Sequence, residues 1–284
     1  MDISSLKFVQ SNRSNFFCQY SHSMQKDLVS IITATYNSGK YIEETILSTQ
    51  KQSYTNWELI ITDDCSTDHT IDLIKRYQKK DSRIKLFLFD KNQGVGAARN
   101  KSIKEAKGRY IAFCDSDDMW KPDKLTKQIN FMKENQIIFS YCSYDVVNEI
   151  GEHTHTVIPP PLLSYNDLLS WCWVGCLTAI YDTKGLGKRY FSKIRKRQDY
   201  VLWLQIFKEI KETKGLVESL AIYRKRKDSI SSNKFGLIKY NYLVYKKGLR
   251  YSSFKSSLLL ARYLYNYLIK NSKQVMFCEW VLLL

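Results

Sequence analysis

Arg109-Tyr110-Ile111-Ala112-Phe113-Cys114-Asp115-Ser116-Asp117-Asp118 is the stretch from which the architecture of this chain can be read. An apolar run feeds directly into three acids within four residues. It cannot continue into a core, because an unpaired buried carboxylate costs several kcal/mol. The acids must meet a metal, a cation or water. A hard divalent cation suits them: Mg²⁺ or Mn²⁺ takes one or two carboxylates and fills its other positions with water and substrate phosphates. A solvated acidic turn capping the next helix is the competing explanation, and the motif alone does not choose between them.

The surrounding chain supplies context. Leu28 to Thr33 is a short β-branched run that stops at Ala34-Thr35-Tyr36-Asn37-Ser38-Gly39, and a helix is expected from about Tyr41 to Gln50. Trp57 to Thr62 ends in Asp63-Asp64-Cys65-Ser66-Thr67-Asp68, ahead of an amphipathic helix from about Thr70 to Lys79. Ile84 to Phe89 leads to Asn92-Gln93-Gly94-Val95-Gly96-Ala97-Ala98-Arg99-Asn100 and a helix to about Lys107. The fourth strand carries the acids. Strand and helix alternate, which predicts an α/β fold with its polar loops gathered at the carboxyl ends of a mostly parallel central sheet.

These residues resemble the inverting family 2 glycosyltransferases of the GT-A fold, of the bacterial surface-polysaccharide type. The resemblance is carried, in order, by Val29-Ser30-Ile31-Ile32, Tyr36-Asn37, Asp63 to Asp68, Gly94 to Asn100, Asp115-Ser116-Asp117-Asp118 and Arg197-Gln198-Asp199-Tyr200, and covers residues 27–235. It implies the GT-A nucleotide-diphospho-sugar transferase fold, a nucleotide-sugar donor, Mn²⁺ or Mg²⁺, and a single general base. By the same resemblance Asp64 meets the uracil edge of the donor with Thr35, Tyr36 and Asn37 beside it. Asp117 is the direct metal ligand, and Asp115 contacts the ribose or the metal. Asp199 is the base that takes the acceptor proton opposite the leaving diphosphate.

Each assignment has a structural alternative in the residues themselves. An Asx-turn or helix cap suits Asp64 to Thr67, an N-cap suits Asp199, and Asp118 can cap the helix beginning near Pro122-Asp123-Lys124. Gly94-Val95-Gly96 is not a dinucleotide turn, because Arg99 stands where the third glycine belongs and the turn follows the third strand. A small-residue turn that admits a nucleotide, with Arg99 reaching the donor, fits better. Gln198 stands where many relatives carry Glu. With Arg197 and the aromatic faces of Trp171 and Trp173 it is assigned to the acceptor, Arg195 to Arg197 facing an acceptor diphosphate; buried core is the rival for both tryptophans. Tyr223-Arg224 and Asp228-Ser229-Ile230-Ser231 resemble a strand and loop that close over the donor, with basic residues contacting phosphate.

Composition bounds the rest. Of 284 residues 44% are apolar, ample for a core, and 44 Lys and Arg against 28 Asp and Glu give a formal charge of +16. Such a charge calls for an anionic partner. Seven cysteines without Cys-x-x-Cys spacing read as reduced thiols. Cys172 and Cys176 could share a helix face, and His153 and His155 read as loop residues. No secretory signal or run of about 20 apolar residues is evident, so a cytoplasmic protein, peripheral at the inner membrane face, is expected.

Three segments follow: an extension at 1–26, a catalytic domain at 27–235 (donor half 27–120, acceptor half 121–235) and a basic helical tail at 236–284. Between Lys234 and Leu284 lie nine Lys or Arg and one acid, Glu279. Lys255, Arg262, Asn266, Lys270 and Lys273 form a polar face opposite Leu258, Leu259, Ala261, Leu264, Tyr265, Leu268 and Ile269. That pattern suits an anionic membrane surface, or equally packing onto the catalytic domain.

The expected function is metal-dependent inverting transfer from a nucleoside diphosphate sugar, a UDP-sugar by preference, to a hydroxyl of a lipid-diphosphate-linked saccharide, in making an O-antigen, capsule or similar polymer. A catalytically inactive sugar-binding scaffold is one rival. A nucleic-acid-binding module is another, disfavoured because strand-end acids repel phosphate.

Overall fold

The computed structural model describes residues 25–226 and 234–281. Residues 1–24 of the extension and the loop Asp228-Ser229-Ile230-Ser231 lie outside these described residues. The first half comprises β1 (Gln25–Thr35), α1 (Ile42–Gln50), β2 (Trp57–Asp63), α2 (Thr70–Lys80), β3 (Ile84–Leu88), α3 (Val95–Glu105) and β4 (Gly108–Phe113). Then come β5 (Met119–Trp120), α4 (Lys124–Glu134), β6 (Phe139–Ser140), β7 (Cys142–Val147), β8 (His153–Val157), β9 (Leu162–Ser164) and α5 (Tyr165–Ser170). The chain ends with β10 (Ile180–Asp182), α6 (Thr183–Leu186), α7 (Gln198–Ile210), β11 (Glu212–Lys214), β12 (Leu216–Arg224), α8 (Lys234–Leu243) and α9 (Ser253–Val281).

The main sheet runs β3-β2-β1-β4-β10-β6, parallel through its first four strands and antiparallel at β10. Val29, Ile31 and Ile32 of β1 and Leu59, Ile60 and Ile61 of β2 are fully buried. Helices cover both sheet faces, which is why these strands are continuous rather than alternating apolar runs. Strand order reverses at β1, with β2 on one side and β4 on the other. A crevice therefore opens beyond the carboxyl ends of β1 and β4, where the loops after Thr35 and Phe113 meet. A second sheet, β5-β12-β7-β8, and the pair β11-β9 stand beside it.

The register of β1 on β4 depends on Gly108. A Cβ there would lie 2.6 Å from the Leu28 carbonyl oxygen and 2.7 Å from the Ser30 nitrogen, both main chain. Gly108 N–H donates to Ser30 Oγ (2.8 Å), and Ser30 Oγ donates to Glu58 (2.6 Å). Gly108→Ala should cost about 2 kcal/mol of stability, read as a lower urea midpoint; an unchanged midpoint would refute this close approach.

The C-terminal segment divides its apolar residues between two faces. Leu259 and Tyr263 of α9, with Val244 and Tyr245 just before it, are buried in the core formed by Tyr200, Trp203, Leu204 and Phe207 of α7. Asn266, expected on the polar face, donates to the Ser170 carbonyl (3.3 Å) and so faces the domain. Outward stand Phe254, Leu258, Ala261, Tyr265 and Leu268, spaced by four and three residues in turn; the four larger ones are at least 61% exposed. The single apolar stripe expected from sequence is thus two stripes, one packed and one open.

Two smaller expectations fail. His153 and His155 lie on β8, because the antiparallel pairing with β7 extends through them. Cys172 precedes a 3₁₀ turn at Cys176–Thr178 in non-helical chain, so the two thiols share no helix face. Cys65, Cys114, Cys142, Cys172 and Cys176 are free thiols.

Candidate active site

The loops after β1 and β2 are built from side-chain to backbone bonds. Asp63 accepts from Ser66 N–H (2.7 Å) and Ser66 Oγ (2.5 Å), so the Asx-type turn forms on Asp63 rather than on Asp64. Asp64, 3% exposed, accepts from Gln93 N–H (2.7 Å) and Gly94 N–H (2.8 Å) and thereby holds the loop that opens α3. Asn37 adopts a left-handed conformation (φ 46°), and its Oδ1 accepts from Thr67 N–H (2.8 Å). Tyr36 is half exposed beside it, and Thr35 Oγ1 is buried with no hydrogen-bond partner. Ser38 Oγ meets Ser116 Oγ at 2.8 Å, tying this loop to the acidic one.

The acids after β4 are held in three different ways. Asp115 receives a forked contact from Arg99, whose Nη2 lies 2.7 and 2.6 Å from its two carboxylate oxygens. Arg99, expected to reach a donor, is 8% exposed and directed at Asp115, with its guanidinium over the Phe191 ring. Asp117 lies 2.9 Å from Arg226 Nε. Asp118, 2% exposed, accepts from Arg224 N–H (3.1 Å). It does not cap the next helix; Asp123 holds that position, with no capping hydrogen bond from its side chain.

Charge in this crevice exceeds what its surroundings accept. Burial, reinforced by Asp117 and Asp115, pushes the Asp118 carboxyl well above the usual range. Burial also raises Asp117; Arg226 opposes the rise and Asp115 adds to it. Burial works against the Arg99 charge, yet Asp115 and, more weakly, Asp199 hold its pKa above the ordinary arginine value. Crowded, partly desolvated carboxylates favour a cation among them. Among the described residues no three His, Cys, Asp or Glu side chains form a ready metal site.

Asp199 stands in the first turn of α7, behind Arg197 in the left-handed region (φ 63°). Arg197 is the residue at the cap, so Asp199 makes no N-cap. Gln198 lies over the α3 turn: a Cβ on Gly96 would fall 2.5 Å from its Nε2. The Gln198 amide therefore packs directly against the main chain at Gly96. Gln198 Oε1 is buried without a partner.

Of the residues expected at the acceptor, Trp171 stacks on Tyr263 (5.2 Å, 13°) and on Tyr267 (6.0 Å, 24°), with Trp173 edge-on at 6.4 Å. Arg197 Nη2 donates to Tyr263 Oη (3.1 Å). Trp171 and Arg197 therefore serve to seat α9, whatever else they touch. Arg224, 4% exposed, is bound to Glu44 (2.6 Å) and to the Glu149 carbonyl (3.1 Å). Arg226 instead lies against Asp117, and sequence reasoning did not single it out. Its signal was the alternation Arg224-Lys225-Arg226 at a strand end, which puts both arginines on one face.

The profile of the family described as "Glycosyl transferase family 2" matches residues 30–195, more than half of the chain. The chain belongs to glycosyl transferase family 2. It is 42% identical over 242 residues to TuaG of Bacillus subtilis, named for teichuronic acid biosynthesis, covering 85% of this chain and 96% of TuaG. It is 41% identical over 219 residues to WfgD of Escherichia coli, a UDP-Glc:alpha-D-GlcNAc-diphosphoundecaprenol beta-1,3-glucosyltransferase, covering 76% of this chain and 84% of WfgD. In three dimensions it is similar to Staphylococcus aureus TarS residues 1–349 in complex with UDP-GlcNAc, with TM-score 0.65, 23% identity, and 83% of this chain and 71% of that one covered. This family 2 glycosyltransferase therefore has the GT-A fold, and the crevice at β1 and β4 lies where that fold places its switch point.

Proposed function

We propose that this enzyme transfers a sugar, with inversion, from a UDP-sugar to a hydroxyl of a lipid-diphosphate-linked saccharide during assembly of a bacterial surface polysaccharide. The observation that carries the reading is the convergence, at the switch point, of the Asp115 to Asp118 cluster and of Asp199 from a distant helix, with Arg99 bonded to Asp115 and within electrostatic reach of Asp199. The chemistry named for WfgD supports the donor and acceptor classes.

In this reading Thr35, Tyr36, Asn37 and Asp64 line the place of the nucleoside, and Thr35 Oγ1 is a buried hydroxyl with capacity to spare. Arg99 fixes Asp115 toward the ribose or metal. Asp117 holds Mn²⁺ or Mg²⁺, which supplies Lewis-acid stabilisation of the leaving diphosphate. Asp199 accepts the proton of the attacking hydroxyl on the opposite side of the sugar. Gln198, Arg197 and Trp173 border the acceptor. Residues 27–235 supply the donor and acceptor chemistry. A mass-spectrometric screen of UDP-, GDP- and dTDP-sugars against polyprenyl-diphosphate saccharides tests this. Transfer from UDP-sugars that EDTA stops is the expected result; no transfer with any donor would favour the sugar-binding scaffold.

The open stripe of α9 and its flanking Lys255 and Arg262 suit an anionic lipid surface at the inner membrane face. Among the described residues no helix is long and apolar enough to cross a membrane. Because α9 also packs inward, truncation would confuse anchoring with folding; exposed positions give a cleaner test. Phe254→Ser, Leu258→Ser and Tyr265→Ser together should weaken binding to anionic liposomes at least about tenfold with an unchanged circular dichroism spectrum. Binding by the unaltered protein should fall as salt rises. Equal liposome binding by the triple variant would remove the membrane from this proposal.

A further inference from the structure

The two arginine contacts in the acidic cluster differ in kind. Arg99 grips Asp115 through two nitrogens, at 2.6, 2.7 and 3.2 Å, from a helix packed on the sheet. Arg226 approaches Asp117 from just beyond the end of β12, with Nε at 2.9 Å. That Nε is buried and poorly aligned, so it makes no hydrogen bond. A forked, charge-assisted contact is strong and geometrically fixed, whereas a single misaligned one is mostly Coulombic and is readily exchanged for another cation. Asp115 and Asp117 thus differ in availability, although they lie two residues apart. Arg226 also lies over the Tyr41 ring (5.3 Å), as does Arg224 (5.2 Å), so its guanidinium has a face to rest on that is independent of Asp117.

We propose that Arg226 is a built-in counter-ion which occupies the cation position at Asp117 in the empty enzyme and yields it to the divalent metal when a diphosphate arrives to receive the guanidinium. This rests on the reading of Asp117 as metal ligand. Two positive groups cannot share one carboxylate without repulsion, and the incoming diphosphate is the anion that can accept the displaced one. Free metal would then bind poorly, and metal and nucleotide would bind cooperatively. Arg226 is in this sense a positioning residue that sets the order of assembly.

The test is Mn²⁺ binding followed by electron paramagnetic resonance, without and with UDP, in the unaltered protein, Arg226→Ala and Arg226→Lys. Arg226→Ala should bind Mn²⁺ alone on the order of tenfold more tightly, and should lose a similar factor from the enhancement that UDP confers. Arg226→Lys should keep both values near those of the unaltered protein. If Arg226→Ala binds free Mn²⁺ no better, or keeps the full UDP enhancement, the counter-ion role is refuted. Asp117→Asn provides the separate check on the underlying reading. If it still binds Mn²⁺ with UDP as the unaltered protein does, Asp117 is not the ligand, whatever Arg226 does.

Discussion

Replacing Asp199 by Asn is expected to slow transfer by roughly 10²–10⁴-fold while donor affinity stays unchanged. The substitution keeps side-chain volume and removes only the capacity to take a proton. Asp199 makes no cap, since Arg197 holds that position, so the first turn of α7 should survive. Arg99 would lose the weaker electrostatic support of Asp199 but would keep its fork to Asp115. Steady-state kinetics with UDP titration distinguish the outcomes. A collapse of UDP affinity with transfer otherwise intact would place Asp199 on the donor instead of the acceptor.

Asp117→Ala is expected to abolish turnover. The leaving diphosphate gains charge in the transition state, and without this carboxylate the cation that balances it has no firm seat. The fold should persist, because removing Asp117 relieves repulsion on its buried neighbour Asp118 rather than breaking a hydrogen bond the core needs. Thermal melting should accordingly show no loss of stability. Full activity in this variant, or in EDTA, would remove the metal from the mechanism.

The parallel sheet could be read from sequence because β1, β2 and β4 carry short apolar runs buried on both faces, each followed by a polar loop. Ile31-Ile32 and Leu59-Ile60-Ile61 have no other comfortable environment. What could not be read is which polar groups answer one another across long stretches of chain. Arg99 and Asp115 are 16 residues apart and meet only because α3 packs against β1 and leads into β4. Arg226 reaches Asp117 because β12 pairs with β5 just beyond the acidic loop. Gln198 over Gly96 depends on how α7 is laid on the sheet, which no local pattern encodes. In α9 the difficulty was chemical: tyrosine suits a packed face and an open one equally, so Tyr263 and Tyr265 sit on opposite sides with no difference in type to separate them.

Tyr263 belongs to two structures at once. It is the ring on which Trp171 stacks and the hydroxyl that receives Arg197, the residue from which the Asp199 helix springs. Part of any load applied to the outer side of α9 is therefore delivered, through Tyr263, to the foot of the helix that carries the proposed base. On the proposed reading, anchoring and catalysis are mechanically in series. A shortened enzyme made to gain solubility would not be a free-standing version of the same catalyst but one whose Asp199 has lost its footing.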